Sequence, residues 1–222
     1  ALDDPDLLAY LRAENAYADA WFADHDDRMQ AMFEEIRSRV QETDMSVPVF
    51  SGGWWYVTST VEGSSYPIHH RGPTAATADA DVLLDENIEA AGHEYFDVGA
   101  FDVSHDHTLV AWSYDTDGDE HYTLRIRDLA TGIDRADEIT DVSHAGTAWS
   151  RDGRFLFYVT ADDQERPYRV WRHELGTMPG APDTLVFEED DERYFVGLGE
   201  SRSDRFVIIQ SGSKTSTEVR LL

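Results

Sequence analysis

Between Phe101 and Arg127 the chain alternates apolar and polar residues in three short runs. Phe101-Asp-Val-Ser is the first, Leu109 to Tyr114 the second and Tyr122 to Arg127 the third. His105-Asp106-His107 and the acidic stretch Asp115 to Glu120 interrupt them, and Asp128-Leu-Ala-Thr-Gly132 closes the unit. Period-two runs bounded by turn residues predict three short β-strands joined by tight turns.

The pattern recurs. Ser104-His-Asp106-His-Thr-Leu-Val matches Ser150-Arg-Asp152-Gly-Arg-Phe-Leu and, more loosely, Ser201-Arg-Ser203-Asp-Arg-Phe-Val, at separations of 46 and 51 residues. Tyr122-Thr-Leu-Arg matches Tyr168-Arg-Val-Trp 46 residues later, with Glu218-Val-Arg-Leu as a third copy and an earlier one starting at Trp54 and returning at Tyr66. A unit of about four strands repeating every 40 to 50 residues is the signature of a β-propeller blade. In the shared Ser-x-Asp-Gly turn a short polar side chain starts the reversal and glycine supplies a positive φ without a Cβ clash.

Residues 1–45 follow a different period. Asp4 can cap and Pro5 can open a helix carrying Leu7, Leu8, Leu11, Ala18 and Phe22 on one side. A second helix is read from Met29, Met32, Phe33, Ile36 and Val40, with His25-Asp26-Asp27 as the corner. A propeller ring has no place inside it for two amphipathic helices, so they are expected to pack on something outside.

From Met45 the chain is extended, because Pro48 forbids helix there. Phe50 to Thr58 reads as one strand, residues 72–81 as a small polar loop, and further units are read over 82–132, from Asp137 to Met178 and from Thr184 onward. The expected architecture is mainly β: a partial β-propeller of about three to four blades over 46–222, preceded by two α-helices over 1–45. Four incomplete units cannot close a ring, so the chain is expected to be part of a larger protein, with open strand edges that invite self-association.

Composition narrows the function. Eighteen basic against 45 acidic residues leave a net charge of −27, which argues against nucleic-acid and anionic-membrane partners. It fits either a solvated, salt-adapted surface or the attraction of basic ligands. Cysteine is absent, so neither disulfides nor thiolate metal sites can form. No apolar run approaches 18 residues and no basic-then-apolar leader is visible, so a cytoplasmic chain is expected.

The candidate chemistry is thin. Gly199-Glu-Ser201-Arg-Ser203 is one glycine short of a nucleophile elbow, falls on the recurring turn and has all nine histidines before it. His69-His70 would point to opposite faces of a strand, and His105 and His107 lie in a turn, so no metal or other cofactor is expected. The tip Asp115-Thr-Asp117-Gly-Asp119-Glu120 departs from a calcium loop, with Ile126 where the bidentate Glu belongs. Trp54, Trp55, Trp112, Trp149 and Trp171 read as core between blades, and Arg125, Arg127, Arg169 and Arg172 as partners of the carboxylates.

Four stretches carry a resemblance: VEGSSYPIHHR (61–71), the run 82–132, FYVTADDQERPYRVWRHELGT (157–177) and FEEDDERYFVG (187–197). With the opening DPDLLAYLRAENAYADA, they resemble the amino-terminal part of the prolyl oligopeptidase family of serine peptidases, its oligopeptidase B branch above all. The resemblance implies a seven-bladed propeller inserted after amino-terminal helices and capping an α/β-hydrolase domain on which the helices pack. A Ser-Asp-His triad of that domain would cleave short peptides after Arg or Lys, and none of the three has a matching position here. The propeller would gate substrate entry, with Glu120 as the residue expected to draw basic peptides. The rival reading is a stand-alone acidic β-repeat module that binds a basic partner.

Overall fold

The computed structural model describes residues 4–178 and 180–222. Two compact units divide the chain: one runs to Asp44 and includes Val61–Gly63, the other takes Met45–Thr60 and Ser64–Leu222.

In the first unit Asp4 caps α1 (Pro5–Ala23), its carboxylate accepting from the Asp6 amide at 2.9 Å and the Leu7 amide at 3.4 Å. Helix α2 (Asp26–Arg37) places Asp26 and Asp27 in its first turn, where the helix dipole favours carboxylates, so both belong to the helix rather than to the corner. It stops at Arg37, short of Val40, where the Ser38 hydroxyl turns back to the Glu35 carbonyl at 2.8 Å. No residue of either helix is buried, and Leu7, Leu11, Phe22, Met29, Phe33 and Ile36 are all exposed.

The second unit holds four sheets. The first contains β1 (Asp44–Met45), β2 (Val49–Ser51), β3 (Trp54–Thr60), β4 (Ile68–Gly72) and β5 (Asp81–Asp85). The second is β6 (Asp97–Val103), β7 (Leu109–Asp115), β8 (Tyr122–Asp128) and β9 (Ile133–Val142) in sequential order. The third repeats this with β10 (Thr147–Trp149), β11 (Phe155–Ala161), β12 (Pro167–Glu174) and β13 (Thr184–Glu188). The fourth has β14 (Phe195–Glu200), β15 (Val207–Gly212) and β16 (Thr217–Leu221). Neighbouring strands in sheets two to four are antiparallel, and four such meanders match the expected partial propeller.

The phase of the repeat differs from the sequence expectation. Val82, Asp137 and Thr184, each read as opening a unit, lie on β5, β9 and β13, the last strand of the preceding sheet. A continuous sequence repeat carries no mark of which strand is first, and pairing decides it. Phe50 to Thr58 is likewise a hairpin rather than one strand, because Gly52 (φ 55°) and Gly53 (φ 93°) make its two-residue turn. The loop 72–81 contains a short 3-10 turn, Ala75–Thr77, and a short helix α3 (Glu86–Glu89), capped by Asp85, follows the first sheet.

The core lies between sheets, and strand alternation distributes it. On β7, Val110 and Trp112 pack with Leu84 and Phe96 toward the first sheet, while Ala111 joins Leu124, Ile126, Trp149 and Leu156 toward the third. On β11, Leu156 and Tyr158 face the second sheet, and Phe157 and Val159 pack with Val196, Val207 and Ile209 of the fourth. Strands flanked on both faces have no solvent side, which is why Leu109 to Tyr114 is richer in apolar residues than a half-buried strand needs. Burying a side chain such as Leu156, Leu124 or Ile126, all 0% exposed, contributes about 1.5–3 kcal/mol.

Candidate functional site

In sheets two to four the recurring turn joins the first strand to the second. Ser104 donates to Asp106 and Ser150 to Asp152, both at 2.7 Å, while the looser third copy pairs Ser201 with Ser203 at 3.2 Å. Each serine oxygen also receives an amide at the start of the next strand, from Leu109, Phe155 and, one residue before β15, Phe206. The fourth position is left-handed in all three, at His107 (φ 58°), Gly153 (φ 67°) and Asp204 (φ 54°). Ser201 is thus fully engaged as a turn residue.

Around these turns the inner strands β6, β10 and β14 share a polar cluster. Trp149 donates its backbone amide to one Glu200 oxygen and its indole N–H to the Asp102 carbonyl at 3.0 Å. Thr147 donates its hydroxyl to the Asp102 carboxylate at 3.3 Å, and His105 Nε2 lies 3.4 Å from the other Glu200 oxygen. Burial, and then the charge of Glu200, push the Asp102 carboxyl up to about 7, against the Thr147 hydrogen bond. Burial also raises Glu200, opposed by the Trp149 amide and by His105. The adjoining cavity, about 200 Å³, is smaller than the roughly 300–1,000 Å³ of ordinary ligand pockets. The cluster can therefore hold and release a proton, and it is too small for a peptide.

Donor atoms of His105, Glu200 and Asp204 lie within 4.8 Å of one another. Three donors fall short of the four of a structural zinc site, and His105 Nε2 faces Glu200 beside the turn. His69 stacks on Phe101 at 4.2 Å and meets Glu86 at 2.7 Å, whereas His70 bonds Ser59 at 2.8 Å. The adjacent histidines thus serve separate partners.

The β7–β8 hairpin tip lies at the other end of the second sheet. Asp115 is buried and accepts from the amides of Asp117 at 2.8 Å, Gly118 at 3.0 Å and Glu120 at 3.0 Å. Burial works against its charge, but these bonds outweigh it and hold the carboxyl below its ordinary value. The tip is thereby an internally satisfied turn. Glu120 takes a left-handed backbone (φ 62°), and its exposed carboxylate lies 3.4 Å from His144. The neighbouring His121 sits 3.5 Å from Asp141 and 3.3 Å from Glu165. Burial lowers the His121 imidazole and Glu165 raises it, with a net upward shift.

A cleft of about 880 Å³ beside β9, β11 and β12 is lined by Asp137, Glu138, Asp141, Asp162, Asp163 and Glu165, together with Trp171 and His173. At its base His173 bridges Asp183 at 2.9 Å and Asp137 at 3.1 Å. Sequence spacing had no signal for this triplet or for Asp102 with Glu200, since their members come from separate segments of the chain.

Trp112, Trp149 and the packed face of Trp171 are core, as the strand pattern implies, whereas Trp54 and Trp55, read the same way, are only half-buried, Trp54 under Arg71 and Trp55 beside the exposed Phe50. Arg127 clamps Asp134 at 2.7 Å and Glu89 at 2.8 Å, Arg125 meets Glu138 at 2.6 Å and Arg169 meets Glu188 at 2.9 Å. Arg172, expected to pair with a carboxylate, instead lies 4.5 Å over the Phe155 ring.

Residues 2–222 match the family described as prolyl oligopeptidase, N-terminal beta-propeller domain. Dipeptidyl aminopeptidase BI of Pseudoxanthomonas mexicana is 40% identical over 98% of this chain and 32% of its own length, and Protease 2 of Moraxella lacunata is 32% identical over 99% and 33%. Among solved structures, oligopeptidase B from Leishmania major superposes with a TM-score of 0.89 at 30% identity, covering 99% of this chain and 31% of that one. Oligopeptidase B from Trypanosoma brucei with covalently bound antipain, in closed form, gives 0.87 at 34%, with the same coverage. The chain spans about a third of the length of these relatives. Four propeller-like sheets behind two helices, matched along nearly their whole length, place this chain in the prolyl oligopeptidase family as its N-terminal β-propeller domain.

Proposed function

We propose that this chain is the substrate-gating propeller of a serine oligopeptidase that cleaves short peptides after Arg or Lys. Hydrolysis falls to a Ser-Asp-His triad on an α/β-hydrolase domain, on which the exposed faces of α1 and α2 pack. The observation that carries the reading is the family match over residues 2–222 together with relatives about three times as long. The charge of −27 and the acid-lined cleft support basic substrates by electrostatic attraction. Glu120 is the proposed attracting residue at the hairpin tip. The setting is cytoplasmic, and among the described residues no helix is long and apolar enough to cross a membrane.

A covalent serine-hydrolase probe on the intact protein, followed by mass spectrometry of peptide products, tests this. Labelling with cuts after Arg or Lys is expected, and no labelling of the longest native species would transfer the reading to an acidic module that binds a basic partner. The 40% identity to a dipeptidyl aminopeptidase favours a second reading, in which dipeptides are released stepwise from the amino terminus of the substrate. The same product analysis separates the two. For Glu120, Glu120→Gln at low salt should lower kcat/KM for Arg substrates a few-fold, and an unchanged value removes it.

A further inference from the structure

The Asp102–Glu200 cluster ties together three sheets that no single hydrogen-bond ladder joins. Asp102 is on β6, Thr147 and Trp149 on β10 and Glu200 on β14, and each strand is the first of its sheet. Strand β10 has only three residues and pairs with β11 on one edge. Its Trp149 amide, facing the other way, is held by Glu200, while its indole and Thr147 reach across to Asp102. The β6 and β14 strands thus meet through β10, and the meeting point contains two carboxylates.

We propose that Asp102 and Glu200 form a proton-operated clasp on the inner strands β6, β10 and β14, closed while Asp102 holds a proton and loosened when both carboxylates are ionised. The proton exchanges with solvent. Two carboxylates held on the same three-residue strand, at Thr147 and Trp149, cannot both ionise cheaply in a partly buried site, and the Asp102 carboxyl, raised to about 7, agrees. Few compensating groups face the pair. On the turn side His105 meets Glu200 and Asp204 adds a further negative charge, with Arg151 and Arg205 lining the adjoining cavity. On the side of the first sheet Asp102 shares a cavity with Tyr56, His69, His70 and His107. Burial, and then Arg71, lower His107, and burial lowers His70, so neither brings a positive charge near neutrality.

The sign follows by linkage. A carboxyl raised in the folded state binds its proton there while the unfolded chain, at about 4, has lost it. Its contribution is complete below about pH 4 and is lost as pH rises toward about 7.

Amide hydrogen exchange of the Trp149 N–H in the intact protein, corrected for the intrinsic pH dependence of exchange, reads the clasp directly. Protection should fall about tenfold between about pH 6 and about pH 8, because only the unit from about pH 6 to the Asp102 value of about 7 counts and the linkage levels off above it. In Asp102→Asn, which stays neutral, the fall should vanish. In Thr147→Val, which removes a bond that lowers Asp102, the midpoint should move to higher pH, and this variant decides the matter if Asp102→Asn fails to fold. In His105→Gln the transition should persist. Constant wild-type protection, an unchanged transition in Asp102→Asn, a midpoint that stays or drops in Thr147→Val, or loss of the transition in His105→Gln would each overturn the clasp.

Discussion

Ser150 donates its hydroxyl to Asp152 across 2.7 Å, repeating 46 residues later the bond by which Ser104 holds Asp106. The two copies differ in surroundings. Ser104 is 1% exposed, whereas Ser150 lies in an open turn. Ser104→Ala takes from the half-buried Leu109 amide its acceptor at a buried position and should lower stability by about 1–3 kcal/mol, the usual range for an unsatisfied buried group. Ser201→Ala, in an exposed turn whose aspartate is replaced by Ser203, should cost less. Denaturant titrations of the two variants check the order, and equal losses would refute the burial argument.

Asp115 makes the β7–β8 tip acid-sensitive. Its folded carboxyl is depressed, so its contribution is present above the ordinary carboxylate value of about 4 and is lost as pH falls below that value. Thermal melts of Asp115→Asn should show a shallower loss of stability than the wild type as pH drops from about 5 to about 3. Parallel curves would assign the acid sensitivity elsewhere.

His173 sits between two carboxylates, and the Asp137 side chain is only 2% exposed. Replacing it with alanine leaves Asp137 with the Gly176 amide and with Arg135 at 3.6 Å. Leaving a buried acceptor short of a hydrogen-bond partner costs about 1–3 kcal/mol, so His173→Ala should unfold at lower denaturant. A loss below about 1 kcal/mol, the range of exposed pairs, would show that water reaches Asp137.

The charge of −27 opposes compaction through self-repulsion. Raising salt from about 0.01 M to about 1 M shortens the screening length from about 30 Å to about 3 Å. The melting temperature should therefore rise with sodium and potassium chloride alike. A fall would mean that the ion pairs, such as the buried Arg127 with Asp134 and Glu89, outweigh the repulsion.

Much of the fold was written in local pattern. The Ser-x-Asp turns specify their own hydrogen bonds within six residues, and Asp4-Pro5 start a helix by the same short-range chemistry. The sites are different in kind. Asp102 and Glu200 are 98 positions apart in the sequence, and neither residue looks unusual in its own strand. Glu120 was singled out for its charge alone, and its left-handed backbone and its contact with His144 came only with the fold.

The sequence by itself determined the strands, the turns between them, the opening helices and the family, because period, turn chemistry and motif spacing act over a few residues at a time. Tertiary structure decided where each sheet begins, turning Val82, Asp137 and Thr184 into closing strands through edge-to-edge pairing. It also set the Asp102–Glu200 pair and the Asp137–His173–Asp183 bridge. Their chemistry comes from proximity and burial, which exist only after the sheets have packed.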